Sequence, residues 1–253
     1  MDKAVIVIPA RYRSERFPGK ALFPLLGKPV LQWVYEAAKK SGIARDIIVA
    51  TEDRKVMDFA AAIGARALMT SEKCKSGSDR VWEAARTVKC DFIINLQADE
   101  PFITHKILKK AMAKIKEDDS YHIATACAVI KNREEIENPN CVKIAMNSAG
   151  RALYFSRSPV PYHHELSELR GKVPYYKHCG FYIYRKKALE TFVRARPAKL
   201  ELLERLEQLR AMENGMNIAV AVVESLGPAI DVPGDIKRAE KYYRAIHKKG
   251  LRV

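Results

Sequence analysis

Short apolar runs alternate with amphipathic stretches through the first half of this chain, and no other feature of the sequence restricts its fold as strongly. The apolar runs are rich in Val and Ile and almost continuous in hydrophobicity, which is typical of strands buried on both faces of a sheet. They are "AVIVI" at 4–8, "DIIVAT" at 46–51, "ARALM" at 65–69 and "DFIINL" at 91–96.

The stretches between these runs have helical periodicity. "PVLQWVYEAAKKSG" carries a proline in its first turn, places Leu31, Val34 and Ala38 on one face and ends at Gly42. "DRKVMDFAAAIG" and "SDRVWEAARTV" have the same kind of apolar face. Because strands and helices alternate with short joints, the sequence predicts right-handed βαβ units and therefore an α/β fold with a doubly wound, mostly parallel sheet.

The second half of the chain predicts a more mixed α+β region. The turn at "NSAGRA" predicts a hairpin between Ile144 and Tyr154. The segment "VPYHHELSELRGKVPYYK" is interpreted as a long excursion, such as a lid or a dimer arm. The predicted strands are "YHIATACAVI", "CVKIAMN", "ALYFSR", "KHCGFYIYR" and "NIAVAVVE", and the predicted helices are "KLELLERLEQLRAMENG" and "GDIKRAEKYYRAIHKKG".

The composition is that of a globular protein and leaves the class of partner open. Hydrophobic residues make up 48% of the chain and charged residues 30%, which argues against disorder. Lys and Arg exceed Asp and Glu by 45 − 30, a net charge of +15. Such an excess fits nucleic acid, acidic membranes or small phosphorylated and carboxylated substrates, but it also fits a lysine-rich solvated surface.

Cysteine usage and the N-terminal sequence exclude several other classes. The five cysteines at 74, 90, 127, 141 and 179 form no Cys-x-x-Cys pair, which argues against a zinc site and a disulfide framework. The N-terminal apolar run is too short for a signal peptide, and no run approaches the roughly 18 residues of a membrane span. We expect a cytoplasmic protein without membrane insertion.

The loop after the first strand, "PARYRSERFPGK", carries an unusual density of positive charge. It matches neither a Walker loop nor a dinucleotide fingerprint. It offers Arg11, Arg13, Arg16 and Lys20 around a Pro-Gly turn, at the edge of the sheet where α/β folds bind ligands. Arginine forks, a lysine charge and backbone amides suit phosphate oxygens, so the loop predicts a site for a phosphorylated ligand. The alternative is a solvated basic loop.

Acidic residues follow two predicted strands. Asp99 and Glu100 come directly after "DFIINLQA", and Asp231 and Asp235 lie in "AIDVPGD". Carboxylates from two distant segments that meet at one sheet edge would hold Mg²⁺ against phosphate oxygens. For Asp235, which precedes a predicted helix, capping is the better interpretation, whereas for Asp99 the ligand role is.

Two further groups of polar residues have both a functional and a structural interpretation. "KSGSDR" at 75–80 either clamps a base or ribose, or simply caps a helix through Ser78 or Asp79. His178 lies in an aromatic strand and is by itself more typical of a structural histidine. Lys177 and Arg157 lie at strand ends, where they could pair with a carboxylate. No Ser-His-Asp or Cys-His constellation is visible.

With these residues assembled, the sequence resembles the 3-deoxy-manno-octulosonate cytidylyltransferase family, the CMP-Kdo synthetases. Ten segments match in the order of the family and extend over nearly the full chain. They are "IPARYRSERFPGK", "GKPVLQWV", "VATED", "SGSDR", "NLQADEP", "NPNCVK", "ALYFSR", "KHCGFYIYR", "LERLEQLR" and "IDVPGDI".

The resemblance implies an activity and an organisation. The activity is transfer of CMP from CTP to a 2-keto-3-deoxy sugar acid with release of pyrophosphate, dependent on Mg²⁺ and serving lipopolysaccharide biosynthesis. The organisation is a homodimer of a single nucleotidyltransferase domain over residues 1–253, with a substrate and dimerisation lobe roughly within 130–215.

The resemblance also implies roles for residues at matching positions. The nucleotide would be bound by Pro9, Ala10, Arg11, Arg16, Lys20, Ser76, Gly77 and Arg80. The reacting centre would contain Lys20, Arg11, Gln97 and Asp99. The metal ligands would be Asp99 and Asp231. The sugar acid would be held by Arg157, His178, Glu207 and Gln208.

The chain departs from the pattern of this family at three positions. Ala98 stands where glycine is usual, which restricts the backbone there, and Val232 and Gly234 replace a threonine and a glutamate in the C-terminal segment. These changes keep a sialic acid or other nonulosonate open as substrate, as well as an amino-substituted analogue. Two other classes are a CTP sensor without activity and, from the +15 charge, a nucleic-acid-binding protein, although no reader motif is visible.

Overall fold

A computed structural model describes residues 3–14, 16–162 and 174–248 of the chain. Their contacts divide the chain into two compact units. The first contains the described parts of Met1–Lys109, Gly180–Val193 and Gly227–Val253, and the second contains those of Lys110–Cys179 and Arg194–Leu226. The predicted excursion at 160–177 lies largely outside the described residues, since 163–173 are not among them.

The strands are, in chain order, β1 (Ala4–Pro9), β2 (Pro24–Leu25), β3 (Lys28–Pro29), β4 (Asp46–Thr51), β5 (Arg66–Met69), β6 (Phe92–Asn95), β7 (Tyr121–Val129), β8 (Lys143–Met146), β9 (Ala152–Ser156), β10 (Tyr176–His178), β11 (Tyr182–Arg185) and β12 (Asn217–Val223). The helices are α1 (Val30–Ser41), α2 (Arg54–Ala62), α3 (Gly77–Ala85), α4 (His105–Lys116), α5 (Arg133–Glu137), α6 (Lys186–Arg194), α7 (Lys199–Glu204), α8 (Gln208–Glu213) and α9 (Asp235–Lys248), with a 3₁₀ turn at Lys20–Leu22.

The sheet of the first unit has the parallel core that the sequence predicts. Its strand order is β5-β4-β1-β6-β11, in which the first four strands are parallel and β11 is antiparallel to β6. Every residue of β1 is buried, as expected for a central strand. Helix α1 ends at Gly42, whose φ of 62° is a left-handed conformation that glycine adopts without strain. The doubly wound α/β prediction is therefore confirmed.

Three loops that carry predicted site residues each contribute a side chain to one apolar cluster. Phe17 comes from the loop after β1, Phe102 follows β6, and Ile230 precedes α9, and all three side chains are buried together. Gly227 lies so close that a Cβ atom there would be 2.4 Å from the Cβ of Phe102. Burial of such large side chains is worth about 3–5 kcal/mol each when measured by truncation to Ala, so this cluster fixes three loops relative to one another.

The second unit is built on an antiparallel sheet with one parallel strand. Strand β10 lies between β7 and β8 and is antiparallel to both, while β12 is parallel to β7. The hairpin predicted between Ile144 and Tyr154 is present as β8 and β9.

Two predicted elements are each divided in the structure. The segment "KHCGFYIYR" is not one strand, because it stops at His178 and restarts at Tyr182 as β11. The segment "KLELLERLEQLRAMENG" is not one helix, because α7 ends at Glu204 and the next residue, Arg205, has a φ of +53°. The carbonyls of Glu204 and Arg205 accept hydrogen bonds from the guanidinium of Arg157 at 2.7 and 3.4 Å, instead of continuing the helix. Among the described residues, no helix is long and apolar enough to cross a membrane.

Candidate active site

Lys20 joins the two acidic segments that the sequence singles out. The chain turns at Gly19, whose φ is +73°, and the 3₁₀ turn that follows directs Lys20 toward both carboxylates. Its Nζ lies 2.5 Å from Asp99 Oδ2 and 3.6 Å from Asp231 Oδ1, and donates to the carbonyl of Ile230 at 3.2 Å. These groups from distant parts of the sequence therefore form one cluster.

Backbone and side-chain contacts hold the cluster in place. The amide of Ile230 donates to the carbonyl of Asp99 at 2.9 Å, which fixes the two acidic segments side by side. Arg16 Nη2 lies 3.2 Å from the carboxylate of Asp231. Asp235 opens α9, and its carboxylate accepts from the amides of Asp231 and Val232 at 2.8 and 3.0 Å, so it orders the loop that carries Asp231.

Glu100 belongs to the same cluster, although it is not among the site residues predicted from the sequence. Its carboxylate accepts from the amide of Gly180 at 3.2 Å, and a Cβ at Gly180 would lie 2.8 Å from Glu100 Oε1. Burial, followed by the negative charge of neighbouring Asp99, raises the pKa of Glu100 to about 8. Its position directly after Asp99 was the only sequence signal, and the contact with Gly180 was not visible there.

The donor set fits Mg²⁺. Asp99 and Asp231 both reach Lys20 Nζ within 3.6 Å, so their hard oxygen atoms share one site. Mg²⁺ prefers one or two carboxylates and completes its shell with water and substrate phosphate. Within the described residues, no group of three or more His, Cys, Asp and Glu side chains could hold a metal by itself. Asp99 and Asp231 would therefore share the ion with phosphate oxygens.

The start of α3 packs against the ends of two strands. Ser76 caps the helix, since its hydroxyl accepts from the amide of Asp79 at 3.2 Å and the carboxylate of Asp79 accepts from the amide of Ser76 at 3.0 Å. The cap is thus Ser76 and not Ser78, with Asp79 as its reciprocal partner. A Cβ at Gly77 would lie 3.6 Å from the Gln97 side chain and 3.7 Å from Pro9. Pro9, Gly77 and Gln97 are therefore brought together.

A cavity of about 210 Å³ is lined by Arg11, from the loop after β1, and by Arg80, from α3. Arg11 is exposed, whereas Arg80 is almost fully buried. The guanidinium of Arg80 bonds to Thr70 and lies 2.9 Å from Glu52 Oε2. A buried, paired arginine acts as a fixed part of the wall, because separating it from Glu52 would leave an uncompensated charge. The other lining residues are Arg13, Glu52, Asp53, Glu72 and Cys74.

In the second unit, Arg157 is bound mainly to backbone carbonyls. Its Nε donates to Glu204 at 2.7 Å, its Nη1 to Pro139 at 2.9 Å and its Nη2 to Arg205 at 3.4 Å. Lys177, the other cation considered for a substrate carboxylate, lies 2.7 Å from Glu135. Its charge is therefore balanced, whereas that of Arg157 is not balanced by these carbonyls.

His178, which the sequence also predicts to bind the sugar acid, is uncharged. Its Nε2 lies 3.0 Å from Thr125 Oγ1, and its ring meets Phe155 edge to face with centroids 5.0 Å apart. Burial lowers the pKa of His178 to about 3, so the ring is neutral at physiological pH. Glu207 and Gln208 lie just after the bend between α7 and α8, and Gln208 is buried.

The positions that depart from the family pattern have different surroundings. Ala98 is buried, with 7% of its surface exposed. Val232 is exposed, and a Cβ built at Gly234 would meet no atom within 4 Å. A Cβ atom would thus meet no clash at Gly234, and the glycine leaves the loop after Asp231 one negative charge short of the family pattern.

Comparison with known proteins places this geometry in a family. Residues 5–218 match the family model described as Cytidylyltransferase. The chain is 46% identical to a 3-deoxy-manno-octulosonate cytidylyltransferase of Elusimicrobium minutum, over 96% of this chain and 99% of that protein. It is 41% identical to the protein of the same name from Geobacter metallireducens, over 96% and 98% of the two chains.

Solved structures give the same result. A CMP:2-keto-3-deoxy-manno-octonic acid synthetase complexed with CTP superposes with a TM-score of 0.88 at 38% identity, covering 98% of this chain and 100% of that one. A 4-diphosphocytidyl-2C-methyl-D-erythritol synthase from Anaerococcus prevotii, 13% identical with a TM-score of 0.64 over 96% and 99% of the two chains, shares the fold alone. The nucleotidyltransferase-type fold expected from the sequence is confirmed, and the chain belongs to the 3-deoxy-manno-octulosonate cytidylyltransferase family.

Proposed function

We propose that this chain is an enzyme that transfers CMP from CTP to the anomeric hydroxyl of 3-deoxy-manno-octulosonate, Kdo, and releases pyrophosphate. The observation that carries the proposal is the contact of Lys20 with Asp99 and Asp231, at 2.5 and 3.6 Å. A cation and two carboxylates from three distant segments suit a triphosphate and its counter-ion, because Mg²⁺ takes one or two carboxylates together with phosphate oxygens. The full-length similarity to enzymes of this name supports it further.

The reaction is a direct displacement at phosphorus. The anomeric oxygen forms a bond to the α-phosphorus of CTP, its hydroxyl proton passes to water or to the departing pyrophosphate, and the bond between the α-phosphorus and the pyrophosphate oxygen breaks. Such transfers need little covalent help from protein, because positioning and charge neutralisation supply most of the rate. Lys20 would neutralise charge on the α-phosphate and the departing pyrophosphate, and Arg11 and Arg16 would bind the outer phosphates.

The cofactor in this proposal is Mg²⁺, held by Asp99 and Asp231. When bound it would supply positive charge beside the phosphates. Two contacts would support this role of the carboxylates: Asp235 accepts from the amide of Asp231, and the backbone bond from Ile230 to Asp99 keeps the two acidic segments adjacent.

The remaining residues would recognise the two organic parts of the substrates. Pro9, Ala10, Ser76, Gly77 and Arg80 would recognise cytosine and ribose. The sugar acid would be held by Arg157, His178, Glu207 and Gln208. Because His178 is neutral, it would exchange hydrogen bonds with sugar hydroxyls, and the carboxylate would fall to Arg157. The family resemblance alone also leads us to propose a cytoplasmic homodimer that serves lipopolysaccharide biosynthesis.

The test is CTP-dependent release of pyrophosphate across a panel of 2-keto sugar acids, with and without Mg²⁺. We expect turnover with Kdo that requires Mg²⁺. Preference for sialic acid or another nonulosonate would correct the acceptor. Binding of CTP without any product would identify a CTP sensor, and salt-sensitive binding of DNA or RNA in place of CTP would reject the enzyme altogether.

A further inference from the structure

The backbone and the guanidinium of Arg157 are both held by neighbours within its own unit. Its amide donates to Glu204 Oε2 at 2.9 Å, and its carbonyl accepts from the ammonium of Lys143, which is fully buried. Its guanidinium donates to the carbonyls of Pro139, Glu204 and Arg205. A guanidinium has five N–H donors, so 5 − 3 leaves two that bond to no described residue. Arg157 is thus a rigid cation with an open side.

Glu204 contributes more of these contacts than any other residue. Its Oε1 accepts from the Ser156 hydroxyl at 2.6 Å, its Oε2 accepts from the Arg157 amide, and its own carbonyl accepts from Arg157 Nε. Because Glu204 is the last residue of α7, these bonds also tie the end of β9 to the bend at Arg205. Glu207 and Gln208 follow directly after this bend.

We propose that Glu204 is a positioning residue for the acceptor: it holds Arg157 and the α7–α8 bend in the arrangement that binds the carboxylate of the sugar acid. This inference rests on the proposed function. It assigns Glu204 no contact with substrate. An arginine binds a carboxylate tightly only when two of its N–H groups point at the two carboxylate oxygens. A displacement of the Arg157 guanidinium by about 1 Å would therefore weaken binding of the sugar acid far more than the loss of one surface contact would.

Glu201 offers a matched control for this role. It lies on the same helix, three residues earlier, and its carboxylate binds Arg210 through two bonds of 2.8 and 2.6 Å. Glu201→Gln therefore disturbs a buried carboxylate of α7 without touching Arg157. A role of Glu204 in stability alone predicts that the two variants behave alike.

The experiment measures KM for CTP and for the sugar acid separately, in wild type, Glu204→Gln, Glu201→Gln and Ser156→Ala. The amide of Gln cannot accept at both positions, so we expect Glu204→Gln to raise KM for the sugar acid about tenfold or more, with KM for CTP within about twofold of wild type. Ser156→Ala removes one of the bonds and should raise the same KM about threefold. Glu201→Gln should lower the melting temperature without changing either KM.

The outcomes separate the two proposals. If the wild type releases no pyrophosphate with any 2-keto sugar acid, both fail. If the wild type is active and folded Glu204→Gln keeps the KM for the sugar acid, or raises both KM values equally, only the positioning role is rejected. If Glu204→Gln does not fold, Ser156→Ala decides in its place: a selective rise supports the role, and an unchanged KM overturns it.

Discussion

Each unit holds one cation that the proposed function requires, and the two units hold these cations in opposite ways. In the first unit, Lys20 lies against two carboxylates, so its charge is already balanced. In the second, Arg157 lies against three carbonyl oxygens, which orient the guanidinium and leave it a full positive charge. The first arrangement suits a site that takes up further ions together with a polyanion, and the second suits direct capture of a single carboxylate.

The largest effect should follow from removing a charge at the first of these sites. We expect Asp99→Asn to abolish Mg²⁺-dependent pyrophosphate release, a loss of about 10³-fold or more, because the amide cannot hold the cation or balance Lys20. Pyrophosphate release measured over a Mg²⁺ titration checks this, with Asp58→Asn as the control, since Asp58 is exposed and pairs with Arg54 one turn away. Turnover close to that of wild type would remove Asp99 from the site.

The next effect concerns the cation itself. Lys20→Ala should lower kcat by about 10²-fold, the usual loss for one donor that stabilises developing charge. Lys28→Ala is the matched control, because Lys28 lies eight residues on and pairs with Glu36 at 2.6 Å. A change confined to KM for CTP would contradict the role of Lys20 in the transition state.

For the second unit, Arg157→Lys tests whether the shape of the cation matters as much as its charge. Lysine cannot reproduce the planar fork or its carbonyl contacts. We expect KM for the sugar acid to rise about 10- to 100-fold while KM for CTP stays constant. Arg133→Lys, at an exposed pair with Glu137, controls for a general effect of the substitution. If both KM values rise together, the comparison between the two cations fails.

The smallest expected effect tests whether His178 is uncharged, which would leave Arg157 to supply the positive charge among the residues proposed to bind the sugar acid. The pKa of His178 is about 3 in the fold against about 6.5 for the free side chain, so folding favours the neutral ring. Its contribution to stability is complete above pH 6.5 and is lost as the pH falls from 6.5 toward 3. Between pH 7 and pH 5 this loss amounts to about 2 kcal/mol.

The measurement is the free energy of unfolding in urea at both pH values for wild type, His178→Gln and the exposed-site control His247→Gln. We expect His178→Gln to reduce the loss of stability between pH 7 and pH 5, and His247→Gln to retain it. An unchanged loss in His178→Gln would show that other groups carry the pH dependence.

The sequence predicts the first unit better than the second because its signals are local. Lys20 lies in the loop that follows β1 and Asp99 in the loop that follows β6, and the carboxyl ends of such parallel strands share one edge of the sheet. Their meeting therefore follows from the pattern of strands and helices. Glu100 was seen beside Asp99, but its partner Gly180 lies eighty residues away and could not be inferred.

In the second unit the decisive contacts are between distant segments. The pattern of α7 and α8 is that of one amphipathic helix, and it is Arg157, from a strand end 47 residues earlier, that takes the carbonyl of Glu204. Likewise, the aromatic run around His178 has no local stop signal other than Gly180. Propensity describes such segments correctly residue by residue, but tertiary hydrogen bonds decide where they break.

The crowding of Gly227 against Phe102 has a consequence for how this enzyme could be switched off. Phe102 shares its cluster with Phe17 and Ile230, which neighbour Arg16 and Asp231 in the chain. A single added methyl at Gly227 would displace the side chain of Phe102 and disturb its packing against Phe17 and Ile230. The activity could thus be lost through a purely steric change that alters no ionisable group.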